Sequence, residues 1–250
     1  MSGSEQRRKR AEELAESEGA PVIQGAQKGL KSSAIKALFW KLLEQGGMAA
    51  VTLIVQVAMA IILSPEEFGE LAIMLVFINV GNVMVQSGLN TAIIQSDDVN
   101  EQDYSTVFWM CLGAAATVYA IVFLAAPSIA AFYEVPQIVW PLRLLLVILI
   151  VNAFNSVQEA IVARELAFKK TAISTAVAGI VSGAMGIGMA ISGFGIWSLV
   201  AQQLIQQLMK GLVLARQVRW LPRAVFNPAR AKKLFGFGWK LLASGLSASF

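Results

Sequence analysis

Residues 141–163 read PLRLLLVILIVNAFNSVQEAIVA, an apolar stretch in which the polar side chains recur at helical spacing. Such a stretch is long enough to cross a bilayer, because a transmembrane helix needs about 20 mostly apolar residues. Five similar stretches lie at 42–63, 71–94, 104–126, 171–191 and 196–214, and another begins near Trp239. We therefore predict an all-α polytopic membrane helical bundle with six full transmembrane helices and the start of a seventh.

The composition supports this prediction and excludes several chemistries. Of the 250 residues, 56% are hydrophobic and 14% are charged, and the mean hydropathy is +0.64, values outside the usual range of soluble domains. The chain has no histidine and one cysteine, Cys111, which excludes a histidine-based catalytic triad, a zinc site of histidines and cysteines, and an intrachain disulfide. We expect no enzymatic activity, no metal and no cofactor.

Short polar breaks separate the predicted helices. The sequence Ser-Pro-Glu-Glu at 64–67 follows the first, Pro127 is expected to end the third, and Ser-Gly-Phe-Gly at 192–195 predicts a tight turn. The acidic segment 97–101 is expected to be a solvated turn with an Asp or Asn cap for the helix at Tyr104.

The distribution of Lys and Arg predicts the orientation, because these residues stay on the cytoplasmic side during insertion. With the N terminus in the cytoplasm, eight of the 20 precede Gly46, three lie at 164–170, eight lie at 210–240, and only Arg143 lies on the opposite side. Because the basic residues bracket apolar spans and do not alternate with aromatics, no nucleic acid partner is expected. We predict a multi-pass membrane protein whose N terminus lies in the cytoplasm.

Four sequence regions follow from the spans. We expect a mobile cytoplasmic tail at 1–33, without a cleavable signal peptide, and a six-helix transmembrane lobe at 34–214. A basic cytoplasmic linker at 215–238 then leads to the start of a second lobe at 239–250. The sequence Trp-Lys-Leu-Leu at 40–43 recurs at 239–242, as a parallel repeat of two six-helix halves would require.

Amides recur on single faces of the predicted helices. Such amides either form hydrogen bonds between packed helices or line a hydrated cavity. We predict a shared cavity, because four helices carry such stripes. The candidate residues are Lys41, Gln45 and Gln56 on the first helix, Asn79, Asn82, Gln86 and Asn90 on the second, Asn152, Asn155 and Glu159 on the fourth, and Gln203 and Gln206 on the sixth, with Arg143 and Lys240 as further candidate cations. The same stripes also contain Thr52, Gln158, Gln202, Gln207 and Lys210.

Three details of these helices leave alternatives open. Glu159 is either a coupling or substrate-contacting carboxylate, or the partner of Arg164 or Lys169. Arg143 either extends to the membrane interface or faces a ligand. The small residues Gly179, Ser182, Gly183 and Gly186 predict a face on which another helix packs closely.

Four sequence blocks together resemble one known family: LSPEEFG at 63–69, GLNTAIIQ at 88–95, RELAFK at 164–169 and GIWSLV at 195–200. The chain is similar to the N-terminal half of Wzx-type lipopolysaccharide and teichuronic-acid exporters, the polysaccharide-transport branch of the multidrug, oligosaccharidyl-lipid and polysaccharide exporter superfamily. The turn after the first helix departs from the pattern, with Leu-Ser-Pro in place of the usual Leu-Gly-Pro.

The resemblance implies a flippase for polyprenyl-diphosphate-linked oligosaccharides that works by alternating access in a bacterial or archaeal cytoplasmic (inner) membrane. Its partners would be the lipid-linked oligosaccharide, membrane lipids, and a missing C-terminal lobe or a second copy of this chain. Amides would bind sugar hydroxyls, and Lys41, Arg143 or Lys240 could meet the diphosphate.

Three alternatives remain at this point: a drug exporter of the same superfamily coupled to Na⁺ or H⁺, a membrane prenyltransferase with Mg²⁺ on the acidic segment 97–101, and a fragment without transport activity.

Overall fold

The structure is a computed structural model that describes residues 39–40, 46–86, 93, 100–223 and 231, with the side chain of residue 86 left out. Its helices are α1 (Gly46–Ile62), α2 (Pro65–Gln86), α3 (Glu101–Phe132), α4 (Val139–Leu145), α5 (Val147–Arg164), α6 (Phe168–Ile191) and α7 (Ile196–Val218), with a 3₁₀ turn at Pro136–Ile138 before α4. Within these described ranges the chain is helical apart from short connections.

Four of the described segments are long and apolar enough to cross a membrane: Pro65–Val85, Glu101–Phe132, Pro136–Arg164 and Phe168–Ile191. The described part of α1 is apolar but shorter, and α7 has 23 residues but also carries five glutamines and two cations, Lys210 and Arg216. The predicted all-α membrane bundle is confirmed. The predicted seventh helix lies outside the described residues.

Successive membrane segments run in opposite directions, which places their connections at two ends of the bundle. At one end the Nε2 atom of Gln137 donates to Glu70, and the carboxylate of Glu67 contacts the turn at Gly195. At the opposite end Arg164 reaches the carbonyl of Ile93. We name the two ends by their described charges. The acidic end carries Glu66, Glu67, Glu70 and Glu134. The basic end carries six cations, Arg164, Lys169, Lys170, Arg216, Arg219 and Arg223, against three acidic residues, Glu101, Asp103 and Glu165.

Local capping explains where several helices begin. Pro65 occupies the first helical position of α2, where its missing N–H costs nothing, and the backbone N–H of Ser64 donates to the Glu67 carboxylate at 2.8 Å. Asn100 caps α3, as predicted for this turn, and its N–H donates to Asp103 at 2.9 Å. The predicted turn before α7 is also confirmed, with positive φ angles at Gly193 and Gly195.

Two predicted boundaries are wrong. The helix of the second span begins at Pro65, not at 71, because the capped polar first turn is helical outside the apolar stretch. Pro127 does not end the third helix, since α3 continues through it to Phe132. Proline removes the N–H that would bond to the carbonyl of Phe123 one turn earlier. The guanidinium of Arg143 takes the place of that donor, with Nε 3.3 Å from the Phe123 oxygen.

The segment that contains α5 lies at the centre of the bundle. Half of the residues in its apolar stretch are buried inside the protein, against 28% in the apolar stretches of α2 and α3. Helix α5 contacts α2, α3, α6 and α7, and its position brings its polar residues between neighbouring helices.

The small-residue face of α6 packs closely, as predicted. A methyl group added at Gly179 would lie 2.9 Å from the Sδ atom of Met48, and one added at Gly183 would overlap Val55. Among the helices α2 to α7, α6 and α7 form the most extensive pair.

Candidate functional site

A cavity of about 80 Å³ lies between α1, α2, α6 and α7. Its polar lining consists of the side chains of Thr52, Gln56, Ser182, Gln202, Gln203 and Gln206. Apolar residues of the same four helices complete the walls, among them Met59 and Phe68. Of the predicted candidates, the structure therefore brings Gln56, Gln203 and Gln206 together.

The spacing of polar residues along α7 produces this arrangement. Residues 202 and 203 follow Leu199 by three and four positions and precede residue 206 by four and three. One helical face of α7 therefore carries Leu199, Gln202, Gln203 and Gln206. That face meets Gly186 of α6, where an added methyl group would lie 3.0 Å from the Cβ atom of Gln202. The small residues of α6 thus allow the amides of α7 to approach α1.

The polar face of α5 does not line this cavity but forms bonds between helices. Asn152 donates to the Oδ1 atom of Asn82 on α2 at 2.9 Å, and Asn155 donates to the backbone carbonyl of Gln207 on α7 at 3.0 Å. Asn152 and Asn155 are both buried. Gly211 makes the second contact possible, because the Oδ1 atom of Asn155 occupies the space where a side chain at Gly211 would begin.

Glu159 pairs with Lys210 of α7, and the two charged groups are 2.6 Å apart. The alternative partners considered from the sequence are engaged elsewhere: Arg164 donates to the Ile93 carbonyl at 2.7 Å, and the Lys169 ammonium lies 5.6 Å from the ring centre of Trp40. One of the two alternatives for Glu159, a pair with Arg164 or Lys169, is therefore corrected, because the partner in the structure is Lys210. The sequence places Lys210 on the α7 stripe but does not show that α7 and α5 are neighbours.

Unpaired amide atoms lie next to this contact. Among the residues that the structure describes, the Oδ1 atom of Asn155 and both side-chain polar atoms of Gln158 are buried without a hydrogen-bond partner. An unpaired buried polar group costs about 1–3 kcal/mol. A helix rearrangement or a bound water that gives these amides hydrogen-bond partners would therefore lower the free energy of the folded protein.

Arg143 lies in α4, toward the acidic end, and does not line the cavity. Besides its bond to the Phe123 carbonyl, its guanidinium lies 4.3 Å from the ring centre of Phe123 and 5.1 Å from that of Trp140. Both distances are within the range of cation–π attraction. In this structure the side chain connects α4 to the proline-containing part of α3.

The remaining candidates do not join the cavity in the described structure. Asn79 is exposed on the surface of α2. Lys41, Gln45, Asn90 and Lys240 lie outside the described residues, as does the side chain of Gln86. Within the described ranges, no group of three Asp, Glu or Cys side chains could hold a metal ion. The acidic segment of the prenyltransferase alternative is described only from Asn100 onward.

The fold and the cavity define a multi-pass helical membrane protein with an amide-lined cavity between its helices. The chain belongs to the polysaccharide biosynthesis protein family, which matches residues 58–250. It is 26% identical over 208 residues to the succinoglycan biosynthesis transport protein ExoT of Rhizobium meliloti (strain 1021), a match that covers 83% of this chain and 42% of the relative. The resemblance to Wzx-type polysaccharide exporters is confirmed.

Two further relatives carry related names. The teichuronic acid biosynthesis protein TuaB of Bacillus subtilis (strain 168) is 25% identical over 66% of this chain and 34% of its own length. The lipopolysaccharide biosynthesis protein WzxC of Escherichia coli (strain K12) is 23% identical over 56% of this chain and 29% of its own length. The chain thus spans less than half the length of these curated relatives. No solved structure matches it.

Proposed function

We propose that this chain is one lobe of a flippase that moves a polyprenyl-diphosphate-linked oligosaccharide across the cytoplasmic membrane. The observation that carries the proposal is the amide-lined cavity between α1, α2, α6 and α7 in a member of this family. Amide groups both donate and accept hydrogen bonds, so they suit the hydroxyl groups of a sugar. The mechanism is transport by alternating access, without covalent chemistry.

The position of the amides supports a cavity that a second lobe completes. Gln56 lines the cavity but is exposed at the bundle surface, and Asn79 is exposed on α2. A polar side chain facing hydrocarbon without a partner is costly. We propose that a second lobe, either downstream in a longer chain or in a second copy, faces these residues. The head group would cross between the lobes while the prenyl tail stays in lipid.

The charge distribution supports an orientation with the basic end in the cytoplasm. In a Cys111→Ser background, Lys169→Cys should react with a membrane-impermeant thiol reagent only from the cytoplasmic side, and Ser192→Cys only from outside. Labelling of Lys169→Cys from outside would reverse the proposed topology.

Export can be measured in a strain that lacks its own exporter and carries the matching polysaccharide genes. We expect surface polysaccharide when the segment is expressed with its downstream half, and none from residues 1–250 alone, although this segment should still insert. Robust export from the segment alone would contradict the half-transporter proposal and favour a homodimer.

The cavity itself is tested by substitutions on α7. The double variant Gln203→Leu/Gln206→Leu, in the full-length protein, should lower export at least about tenfold, because two sugar-binding amides lost at about 1 kcal/mol each reduce binding by more than that factor. Gln207→Leu is the matched control, since it makes the same change on the same helix outside the cavity lining. Equal export by both variants at equal membrane abundance would contradict the assignment. Resistance to toxic organic cations without surface polysaccharide would favour a drug exporter.

A further inference from the structure

A second cavity, of about 290 Å³, lies at the basic end, between the start of α3 and the segment that follows α7. We call residues 219–223 the strap. The cavity is lined by Glu101, Ser105, Arg219, Trp220, Leu221, Pro222 and Arg223. None of these residues lines the amide cavity.

The strap is attached to α3 at three points. The backbone N–H of Arg223 donates to the Oγ atom of Ser105 at 3.1 Å, and the indole N–H of Trp109 donates to the Arg223 carbonyl at 3.0 Å. The guanidinium of Arg223 is 2.8 Å from the Glu101 carboxylate. These contacts hold the strap, which forms one wall of the cavity, in place without a ligand.

Aromatic contacts hold the middle of the strap. Trp220 meets the rings of Tyr104 and Phe108 edge to face, with ring centres 6.3 and 6.4 Å apart. Leu221 beside it is largely exposed, with 73% of its surface accessible. The cavity thus has an apolar wall at the end of membrane-length helices, where lipid head groups meet water.

The charges in this cavity favour an anion. Two arginines face one carboxylate, and within the described residues the guanidinium of Arg219 has no ion-pair or hydrogen-bond partner. Arg223 uses one nitrogen for Glu101, and a guanidinium has five N–H donors, so donors remain for a second acceptor. Phosphate oxygens match this geometry well, because arginine binds them through two parallel hydrogen bonds.

We propose that the cavity under the strap binds a phosphate group, with Arg219 and Arg223 as its donors. Two sources of this chemistry reach the site: the head group of an anionic phospholipid and soluble phosphate. The exposed Leu221 and the Trp220 wall favour a lipid, whose acyl chains would continue along the apolar surface. The proposal is independent of the sugar transported through the amide cavity.

Binding can be measured on the purified full chain in detergent, by native mass spectrometry and by thermal stabilisation. The probes are dihexanoyl phosphatidylglycerol, inorganic phosphate, and dihexanoyl glycerol, which has the same acyl chains without the phosphate. We expect phosphatidylglycerol to bind and dihexanoyl glycerol to bind at least tenfold more weakly. Added binding of inorganic phosphate would identify a site that also takes the soluble ion. Equal binding of the two glycerol compounds would overturn the proposal.

The variants separate a specific site from general surface charge. Arg219→Gln should weaken phosphatidylglycerol binding about tenfold, the loss of one charge-assisted hydrogen bond. Arg216→Gln, in the last turn of α7 and outside the cavity, should change it less than about twofold. Arg219→Lys, which keeps the charge, should retain part of the affinity if the protein is correctly folded. Equal losses in Arg219→Gln and Arg216→Gln, or no loss in either, would overturn the assignment.

Discussion

Replacing Arg143 by methionine removes the donor that serves the Phe123 carbonyl, which Pro127 leaves without its usual helical N–H. Methionine keeps most of the length of the side chain but has no charge and no donor. We expect a lower free energy of unfolding, because α3 then contains a carbonyl without a partner and α4 loses its connection to it. Pro127→Ala supplies a backbone N–H at the correct position, so the same replacement should cost less in that background.

The magnitude follows from the contacts. A hydrogen bond from a charged donor contributes about 1.5–3 kcal/mol, and the length of 3.3 Å places this one at the lower end of that range. The cation–π contacts with Phe123 and Trp140 add about 1 kcal/mol in all. Arg143→Met should therefore cost about 2.5 kcal/mol with Pro127 present and about 1 kcal/mol in the Pro127→Ala background, since only the ring contacts are then lost.

The measurement is unfolding of the purified protein in mixed micelles by titration with dodecyl sulfate, followed by circular dichroism. The four proteins of the cycle are the unchanged chain, each single variant and the double variant, and Arg143→Lys serves as a control that keeps the charge. If Arg143→Met lowered the free energy of unfolding equally in both backgrounds, Arg143 would not be the donor that replaces the N–H missing at Pro127. Unchanged stability with lost export would instead place the guanidinium at the substrate.

The remaining predictions concern contacts of α5 with α7. Gly211→Ala places a methyl group where the Oδ1 atom of Asn155 lies and should lower the free energy of unfolding by about 1–3 kcal/mol, as overpacking does. Gly188→Ala, at a helical position with open space, should be neutral or stabilise by up to about 1 kcal/mol, and similar effects of the two changes would contradict the close approach. Glu159→Lys and Lys210→Glu should each destabilise by about 1 kcal/mol, the usual scale for a partly exposed pair, and the double exchange should recover most of the loss in the same titration. A double variant no more stable than the single ones would show that the pair contributes nothing.

Much of the fold follows from local sequence. The lengths of the apolar stretches predict membrane helices because hydrocarbon forces each crossing segment to satisfy its own backbone. The start of α3 and the turn before α7 depend on residues within a few positions of each other, Asn100 with Asp103 and Gly193 with Gly195. The amide stripes depend only on the helical period. These features are visible in the sequence because the interacting residues are neighbours along the chain.

The partner of each amide was not visible in the same way. Gln56 and Gln203 meet at one cavity, whereas Asn82 and Asn152 bond to each other, although all four belong to similar stripes. The difference depends on which helices are adjacent, and that depends on the close approach of α6 to α1 at Gly183. Spacing gives a helix its polar face but not the neighbour that the face meets.

Hydrophobic length and helical period act locally, so the apolar helices, their capped ends and their one-sided amides can be predicted from the amino-acid sequence. The continuation of α3 through Pro127 depends on packing between helices, because the donor that replaces the missing N–H comes from Arg143 on another helix, 20 residues after Phe123. The pairing of Glu159 with Lys210 also depends on packing, since α5 and α7 become neighbours only in the folded bundle. In both cases side chains distant in sequence satisfy charges and carbonyls that the local chain leaves unpaired.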